Sequence, residues 1–148
     1  MAKIDFIMKK AEEAGKVVIV GAGARGRRLL RCLKGNALIS VLYFFDNKES
    51  VIGKCIQDIK IVKPYKVEYE CLYIIATADQ YSQIKLYSQL NNLRIDNIII
   101  YHEYKDYDYL SNLDEKYYTE AVQGMYYERF GKKMNWKAPV TYNEKINW

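Results

Sequence analysis

The stretch VVIVGAGARG, residues 17–26, decides the fold of this chain. It begins with four β-branched residues, a run that is apolar on both faces and too short for a helix, as is typical of a buried parallel strand. Gly21, Gly23 and Gly26 follow with the spacing G-x-G-x-x-G, and leucines then recur at helical spacing until Gly35. The stretch therefore predicts a strand, a glycine turn and a helix in direct succession.

Further helices and strands are predicted on both sides of this unit. A short amphipathic helix precedes it and ends before Gly15, and a helix with apolar residues from Tyr81 to Leu93 follows later in the chain. Strands are predicted at residues 17–20, 41–45, 59–62, 72–76 and 97–101. Because strands and helices alternate, the sequence predicts an α/β fold in which a parallel sheet is flanked by helices and joined by right-handed crossovers.

The glycine loop has the chemistry of a phosphate-binding turn. Gly21 permits the tight turn, Gly23 lets phosphate oxygens approach the main chain, and Gly26 lets the helix pack close to the strand. The helix N-terminus offers N–H groups and about half a positive charge to an anion. Asp46 ends the next strand, where its carboxylate would accept hydrogen bonds from ribose hydroxyls and disfavour a 2′-phosphate. A glycine turn that only connects a strand to a helix is the alternative interpretation.

Other residues at the carboxyl ends of strands complete the predicted site, since ligands of open parallel sheets lie along that edge. Thr77 is a candidate hydrogen-bond donor there, and Asp79 is interpreted as the N-cap of the following helix. The predicted binding residues are Gly21, Ala22, Gly23, Ala24, Arg25, Gly26, Asp46, Asn47, Ala76 and Thr77.

The helix after the glycine loop carries a dense cluster of arginines. Arg25 is assigned to the loop, and the sequence leaves open whether it reaches a diphosphate. Arg27, Arg28 and Arg31 are interpreted as the solvated face of the helix, opposite its leucines.

Composition limits the class of protein. The chain has 148 residues, enough for one domain with a modest extension, and 50% of them are hydrophobic, which excludes disorder of the whole chain. Its net charge of +5 is well short of the dense basic footprint of a nucleic-acid-binding protein. Three cysteines without CxxC spacing argue against a disulfide framework and a structural metal site, and they predict a cytoplasmic location. No apolar run reaches the ~18 residues that a membrane span needs.

The sequence offers no pattern specific for catalysis. Tyr81-x-x-x-Lys85 and Tyr101-x-x-x-Lys105 match the Tyr/Lys spacing of short-chain dehydrogenases, but two such pairs are about what chance gives in a chain with 15 tyrosines. His102 has no obvious nucleophile or carboxylate partner in sequence, so it is interpreted as a loop residue. The expected role is recognition of a ligand rather than bond making by this chain alone.

Five short motifs follow one another in a characteristic order along residues 16–101. They are GAGARG, FDN at 45–47, a segment from Gly53 to Pro64, IIA at 74–76 and NIIIY at 97–101. This order resembles the Rossmann-like N-terminal domain of bacterial surface-polysaccharide biosynthesis proteins, such as sugar O-acyltransferases, sugar dehydratases and some methyltransferases of capsule pathways. The resemblance implies a nucleotide-sugar at the loop, with contacts from Gly21, Gly23, Gly26 and Asp46. It does not imply acyltransfer, because the histidine that the acyltransferases commonly carry soon after the loop is missing.

The segment after Tyr101 differs in composition from the rest of the chain. Residues 101–127 contain eight of the 15 tyrosines, and a helix is predicted over about 114–130. YYERFGKK at 126–133 and PVTYNEKINW at 139–148 resemble the opening of TupA-like ATP-grasp proteins linked to teichuronic acid and capsule synthesis. This second resemblance implies an accessory domain, or a piece of a longer protein, whose catalytic domain lies elsewhere.

The sequence thus predicts a Rossmann-like nucleotide-binding domain at residues 1–107 and a helical, tyrosine-rich and basic extension at 108–148. The predicted partner is a nucleotide-containing small molecule, a nucleotide-sugar or NAD, with no metal and no nucleic acid; the extension would contact a downstream catalytic domain or a second copy of the chain. Two alternatives stay open. The chain is a fragment of an NAD-dependent sugar-nucleotide oxidoreductase or epimerase-like enzyme, or it is an interaction module whose glycine turn is empty.

Overall fold

A computed structural model describes residues 2–101 and residue 103. The elements in chain order are α1 (Ala2–Ala14), β1 (Lys16–Val20), α2 (Ala24–Leu33), β2 (Ser40–Phe45), β3 (Cys55–Ile56), β4 (Ile59–Val62), β5 (Leu72–Ile75), α3 (Gln80–Asn92) and β6 (Ile98–Ile100). Every helix and strand predicted within this part of the chain is present. The predicted extension at 108–148, its helix and the domain boundary after residue 107 lie outside the described residues.

The strands form one six-stranded sheet in the order β3-β4-β2-β1-β5-β6. β1 pairs in parallel with β2 and β5, β2 pairs in parallel with β4, and β5 pairs in parallel with β6. This arrangement confirms the predicted α/β fold with a parallel sheet and flanking helices, and the fold is Rossmann-like.

The edge strand β3 is the one strand of the described region that the sequence did not predict. It is two residues long and pairs antiparallel to β4, so the sheet is mixed at this edge. The turn between them is made by Gln57 and Asp58, which have φ angles of 49° and 69°. A two-residue strand has no measurable periodicity, and a left-handed turn without glycine lacks the usual turn signal.

Hydrophobic side chains cover both faces of the sheet. Alternate residues of β1 point to opposite faces: Val18 and Val20 pack with residues of α3, and Val17 and Ile19 pack with residues of α1 and α2. All four of these side chains are buried. Burial on both faces is why the central strand is an unbroken apolar run rather than an alternating one.

The topology places the carboxyl ends of the parallel strands along one edge. The chain moves from β1 to β2 on one side and later to β5 and β6 on the other, so the direction of winding reverses at β1. Such a reversal opens a crevice between the loops that leave the two neighbouring strands. The loops after β1, β2 and β5 therefore meet at the glycine turn.

No helix within the described part of the chain is long and apolar enough to cross a membrane. α1 and α3 are the longest helices there, at 13 residues each.

The three cysteines differ in environment and are expected to differ in reactivity. Cys32 and Cys55 are exposed, whereas Cys71, directly before β5, is buried and donates its S–H to the carbonyl oxygen of Glu68 at 3.3 Å. Burial raises the pKa of the Cys71 thiol to about 11. Because the thiolate is the reactive form, we expect two thiols to react rapidly with a disulfide reagent at pH 8 and the third only after denaturation. Rapid reaction of all three in the native protein would contradict this packing.

Candidate functional site

The turn after β1 depends on glycine at position 21. Gly21 has a φ of +113°, and its N–H donates to the carbonyl oxygen of Phe45 at 2.8 Å. A Cβ at this position would lie 2.9 Å from Cγ2 of Thr77 and 3.0 Å from the carbonyl oxygen of Ala76. The backbone conformation and the close approach of the loop after β5 therefore both require glycine, as predicted for a tight turn.

Gly26 brings the first turn of α2 against the glycine turn. A Cβ at Gly26 would overlap the carbonyl oxygen of Gly21, far inside van der Waals contact, and would also touch the side chain of Ile19 at 3.5 Å. The predicted reason for this glycine, close packing of helix and strand, is confirmed.

Gly23 has neither of these constraints. It is the N-cap of α2 with φ −82° and ψ −162°, a conformation that other residues adopt readily, and a Cβ there would meet nothing within 4 Å. The first-turn N–H groups of a helix lack intrahelical partners, and the first turn of α2 carries no acidic side chain. The space beside Gly23 is thus open toward a helix N-terminus that favours an anion.

Asp46 braces the glycine loop from the end of β2. Its Oδ2 accepts the N–H of Ala22 at 2.8 Å, and its Oδ1 accepts the N–H of Lys48 at 2.8 Å. Each carboxylate oxygen has a second lone pair, so these two bonds leave acceptor capacity for a ligand. The sequence predicted only a contact to ribose; the structure adds a role in holding the loop.

Asn47 contacts α3 through its side chain. Its Nδ2 donates to Oε1 of Gln89 at 2.8 Å, and Nε2 of Gln89 donates back to its Oδ1 at 3.0 Å. This amide pair links the loop after β2 to the helix across the crevice. Asn47, predicted as a binding residue, lies at the carboxyl edge of the sheet as expected, and its side-chain amide is hydrogen-bonded to Gln89 of α3.

Two neighbouring pockets lie along this edge and share Gly21, Asp46 and Thr77. The first, of about 330 Å³, lies between the end of β2 and α3. Its other lining residues are Phe45, Asn47, Lys48, Ser82, Lys85 and Leu86. The second, of about 490 Å³, lies over the glycine loop and the start of α2. Its other lining residues are Gly23, Ala24, Arg25, Arg28, Ala76 and Ala78. Because they share these three lining residues, the two pockets together form one double cleft. Most of the predicted binding residues line it.

Thr77 lies where the two pockets meet. Its Oγ1 is buried and has no hydrogen-bond partner within the part of the chain that the structure describes. Its carbonyl oxygen accepts Nε2 of the buried Gln83 at 2.8 Å, which fixes the loop. Asp79 caps α3 by accepting the N–H of Ser82 at 2.9 Å, as predicted. A buried hydroxyl with unused capacity is compatible with the predicted role of Thr77 as a donor to a ligand.

The arginines differ from their predicted environments in two respects. Arg25 lies in the first turn of α2 rather than in the loop, and its side chain is 3% exposed and ion-paired, with Nε 3.2 Å from Oε1 of Glu103. Arg28 was predicted to be solvated, but it lines the second pocket and donates Nε and Nη2 to the two carboxylate oxygens of Glu103 at 2.7 and 2.5 Å. This pairing raises the pKa of Arg28. Arg27 and Arg31 are exposed, as predicted.

The sequence missed these ion pairs because Glu103 comes 75 residues after Arg28. Lys48, Ser82 and Lys85 were also missed as pocket-lining residues. Lys48 could have been found, since it follows the end of β2 by three residues; the other two depend on how α3 packs.

The dehydrogenase-like Tyr/Lys pairs gain no support. Burial raises the pKa of Tyr101 to about 12, whereas a tyrosine that exchanges protons near neutral pH needs a lowered pKa. Tyr81 is exposed on α3. His102 and Lys105 lie outside the described residues. Among those described, no group of three His, Cys, Asp or Glu side chains is arranged to hold a metal ion.

Comparison with known proteins supports the fold. No protein-family model matches the chain, and no curated protein matches it. Among solved structures it is similar to UDP-D-quinovosamine 4-dehydrogenase from Vibrio fischeri, with 19% sequence identity and a TM-score of 0.53. The similarity covers 67% of this chain and 86% of that one. At this identity the comparison shows the fold alone.

Proposed function

We propose that this chain binds a nucleotide or nucleotide-sugar in the double cleft, and that it recognises this ligand without transforming it by itself. The observation that carries the proposal is the open space at Gly23. Neither the backbone conformation nor the packing requires glycine there, yet Gly23 lines the pocket over the start of α2, where a side chain would take up space. A phosphate group that approaches the main chain accounts for the absence of a side chain.

In this proposal each region of the cleft takes one part of the ligand. The phosphates lie against the first-turn N–H groups of α2, and the ribose hydroxyls donate to the remaining lone pairs of Asp46. The base enters the 330 Å³ pocket between the end of β2 and α3. A mostly apolar pocket with a few oriented polar groups is what a nucleoside requires.

Two further considerations favour a nucleotide-sugar over NAD as the ligand. The solved structure with the same fold is named for a UDP-sugar, and the motif order of residues 16–101 resembles domains of surface-polysaccharide synthesis. The same protein is also named a dehydrogenase. The second candidate is therefore that this chain is a fragment of an NAD-dependent sugar-nucleotide oxidoreductase. In the larger context, we propose an accessory domain of a capsular or surface-polysaccharide biosynthesis protein. Residues 108–148 would then join it to an ATP-grasp or transferase partner.

A nucleotide thermal-shift panel tests the proposal. UDP-sugars, GDP-sugars, CDP, NAD and CoA are each titrated against the full chain, and the binding ligand is expected to raise Tm with concentration. Stabilisation of about 2.7 kcal/mol is expected at a hundred times Kd. Gly23→Val should abolish the shift while lowering the Tm of the free protein by only a few degrees, since valine is a poorer N-cap than glycine but its side chain meets no core atom. Ala37→Val adds bulk at an exposed position that lines neither pocket and should bind normally. If no member of the panel shifts Tm at millimolar concentration, the proposal is wrong.

A further inference from the structure

Glu103 fixes the guanidinium of Arg28 in one orientation. The two side chains make a bidentate pair, with Nε and Nη2 each bonded to a different carboxylate oxygen. Such paired bonds hold the planar guanidinium much more firmly than a single contact does. Glu103 is also ion-paired with Arg25, whose side chain is almost fully buried and whose Nε lies 3.2 Å from Oε1. Arg28 is therefore a pre-oriented group, although its side chain is 39% exposed.

The fixed guanidinium has donors left for a ligand. Arginine carries five N–H donors, and Arg28 uses two of them on Glu103. Its other donors make no hydrogen bond within residues 2–101 and 103, and Arg28 lines the 490 Å³ pocket beside Gly23 and Ala24. The pairing with Glu103 thus fills one edge of the guanidinium and leaves the rest available to the cleft.

The unused guanidinium donors of Arg28 lie in the same pocket lining as Gly23 and Ala24, at the N-terminus of α2. That helix end contributes about half a positive charge. An anionic oxygen is the group that charged donors beside a helix N-terminus favour. The first-turn N–H groups hold one phosphate in the proposed function, so Arg28, one turn further along α2, is suited to a second.

We propose that Arg28, oriented by Glu103, binds the second phosphate of the ligand and gives the site its preference for nucleoside diphosphates over monophosphates. The inference rests on the proposed function, because it assumes that the first phosphate lies at the glycine loop. Arg28 is the contacting residue, and Glu103 is a positioning residue that acts through it.

Isothermal titration of the full chain with matched nucleotides tests the proposal. The probes are UDP and UMP, followed by the ADP/AMP, GDP/GMP and CDP/CMP pairs. The wild-type chain should bind one diphosphate at least ten-fold more tightly than its monophosphate. Arg28→Gln should lose roughly ten-fold or more in affinity for the diphosphate and little for the monophosphate. Arg28→Lys keeps the charge but not the paired geometry, so it should lose most of the preference. Arg31→Gln is the matched control: it removes the same charge from an exposed position of the same helix and should keep the preference.

The direction in which Glu103→Gln changes diphosphate affinity shows whether Glu103 positions Arg28 or only repels the phosphate. If Glu103 only repelled phosphate, removing its charge would tighten diphosphate binding. If it positions Arg28, the variant should bind the diphosphate several-fold more weakly, and the loss should vanish when Arg28 is already Gln. Tm of each variant checks folding, and Arg28→Gln leaves the Arg25–Glu103 pair in place.

The outcomes are distinct. Equal binding of mono- and diphosphate by the wild type, an unchanged preference in Arg28→Gln, or tighter diphosphate binding in Glu103→Gln overturns this inference and leaves the proposed function standing. Failure of the wild type to bind any of the eight nucleotides overturns this inference, and the proposed function falls with it only if the nucleotide-sugars, NAD and CoA of the thermal-shift panel also give no shift.

Discussion

Gly26→Ala is expected to lower the free energy of unfolding by roughly 3 kcal/mol, the largest effect of any single methyl group added to this loop. The new Cβ overlaps the carbonyl oxygen of Gly21, which is a backbone atom and cannot rotate away. Relief requires α2 to move off β1, which opens the packing between the helix and the sheet. The higher helix propensity of alanine recovers only about 1 kcal/mol of this loss.

Gly23→Ala is the matched control for that experiment. It is the same chemical change three residues earlier in the same loop, at a position with open space and an ordinary backbone conformation. Its cost should stay below about 1 kcal/mol, since alanine is only a poorer N-cap than glycine. Urea denaturation followed by circular dichroism compares the two midpoints. Equal midpoints for the two variants would show that the helix does not pack on the turn as described.

Asp46→Ala is expected to cost roughly 2–3 kcal/mol of unfolding free energy and to abolish the nucleotide shift. The substitution removes the acceptor of two backbone N–H groups, those of Ala22 and Lys48. Hydrogen bonds to a charged acceptor contribute roughly 1.5–3 kcal/mol each, and the exposed N–H of Lys48 regains part of its share from water. The N–H of the buried Ala22 is left unsatisfied, and the glycine loop loses its tie to β2.

Asp96→Ala serves as the control for this second variant. Asp96 is exposed, lies before β6 and lines neither pocket, so its removal should change stability by less than about 0.5 kcal/mol. Denaturant midpoints and the nucleotide thermal shift are measured on both proteins. A full shift retained by Asp46→Ala would remove Asp46 from the binding site, whatever happened to stability.

Local signals were sufficient to predict most of the fold. The strand at β1, its glycine turn and Asp46 are encoded in short stretches, because burial on both faces and the need for glycine act at neighbouring positions. Asp79 was predicted correctly as a cap for the same reason, since its partner lies three residues away.

Contacts between distant positions could not be predicted. Asn47 and Gln89 are 42 residues apart, and Arg28 and Glu103 are 75 apart. Such pairs form only when strand register and helix packing bring the side chains together, and neither side chain has a distinctive neighbourhood in the sequence. An arginine on the helix face opposite the leucines has the same sequence pattern whether its side chain faces water or a cleft. The interpretation of Arg28 as solvated fits its 39% exposed side chain but missed its ion pair and its place in the pocket lining for this reason.

The reversal of winding at β1 has a consequence for cooperativity. The walls of the cleft are contributed by segments that follow β1, β2 and β5, which are far apart in the sequence. A partly folded chain that has formed only one side of the sheet has half a cleft and no site. A bound ligand would therefore stabilise the fully assembled sheet relative to every partly opened state. The free energy of global unfolding should then rise with ligand concentration, because the sheet and the cleft form as one cooperative unit.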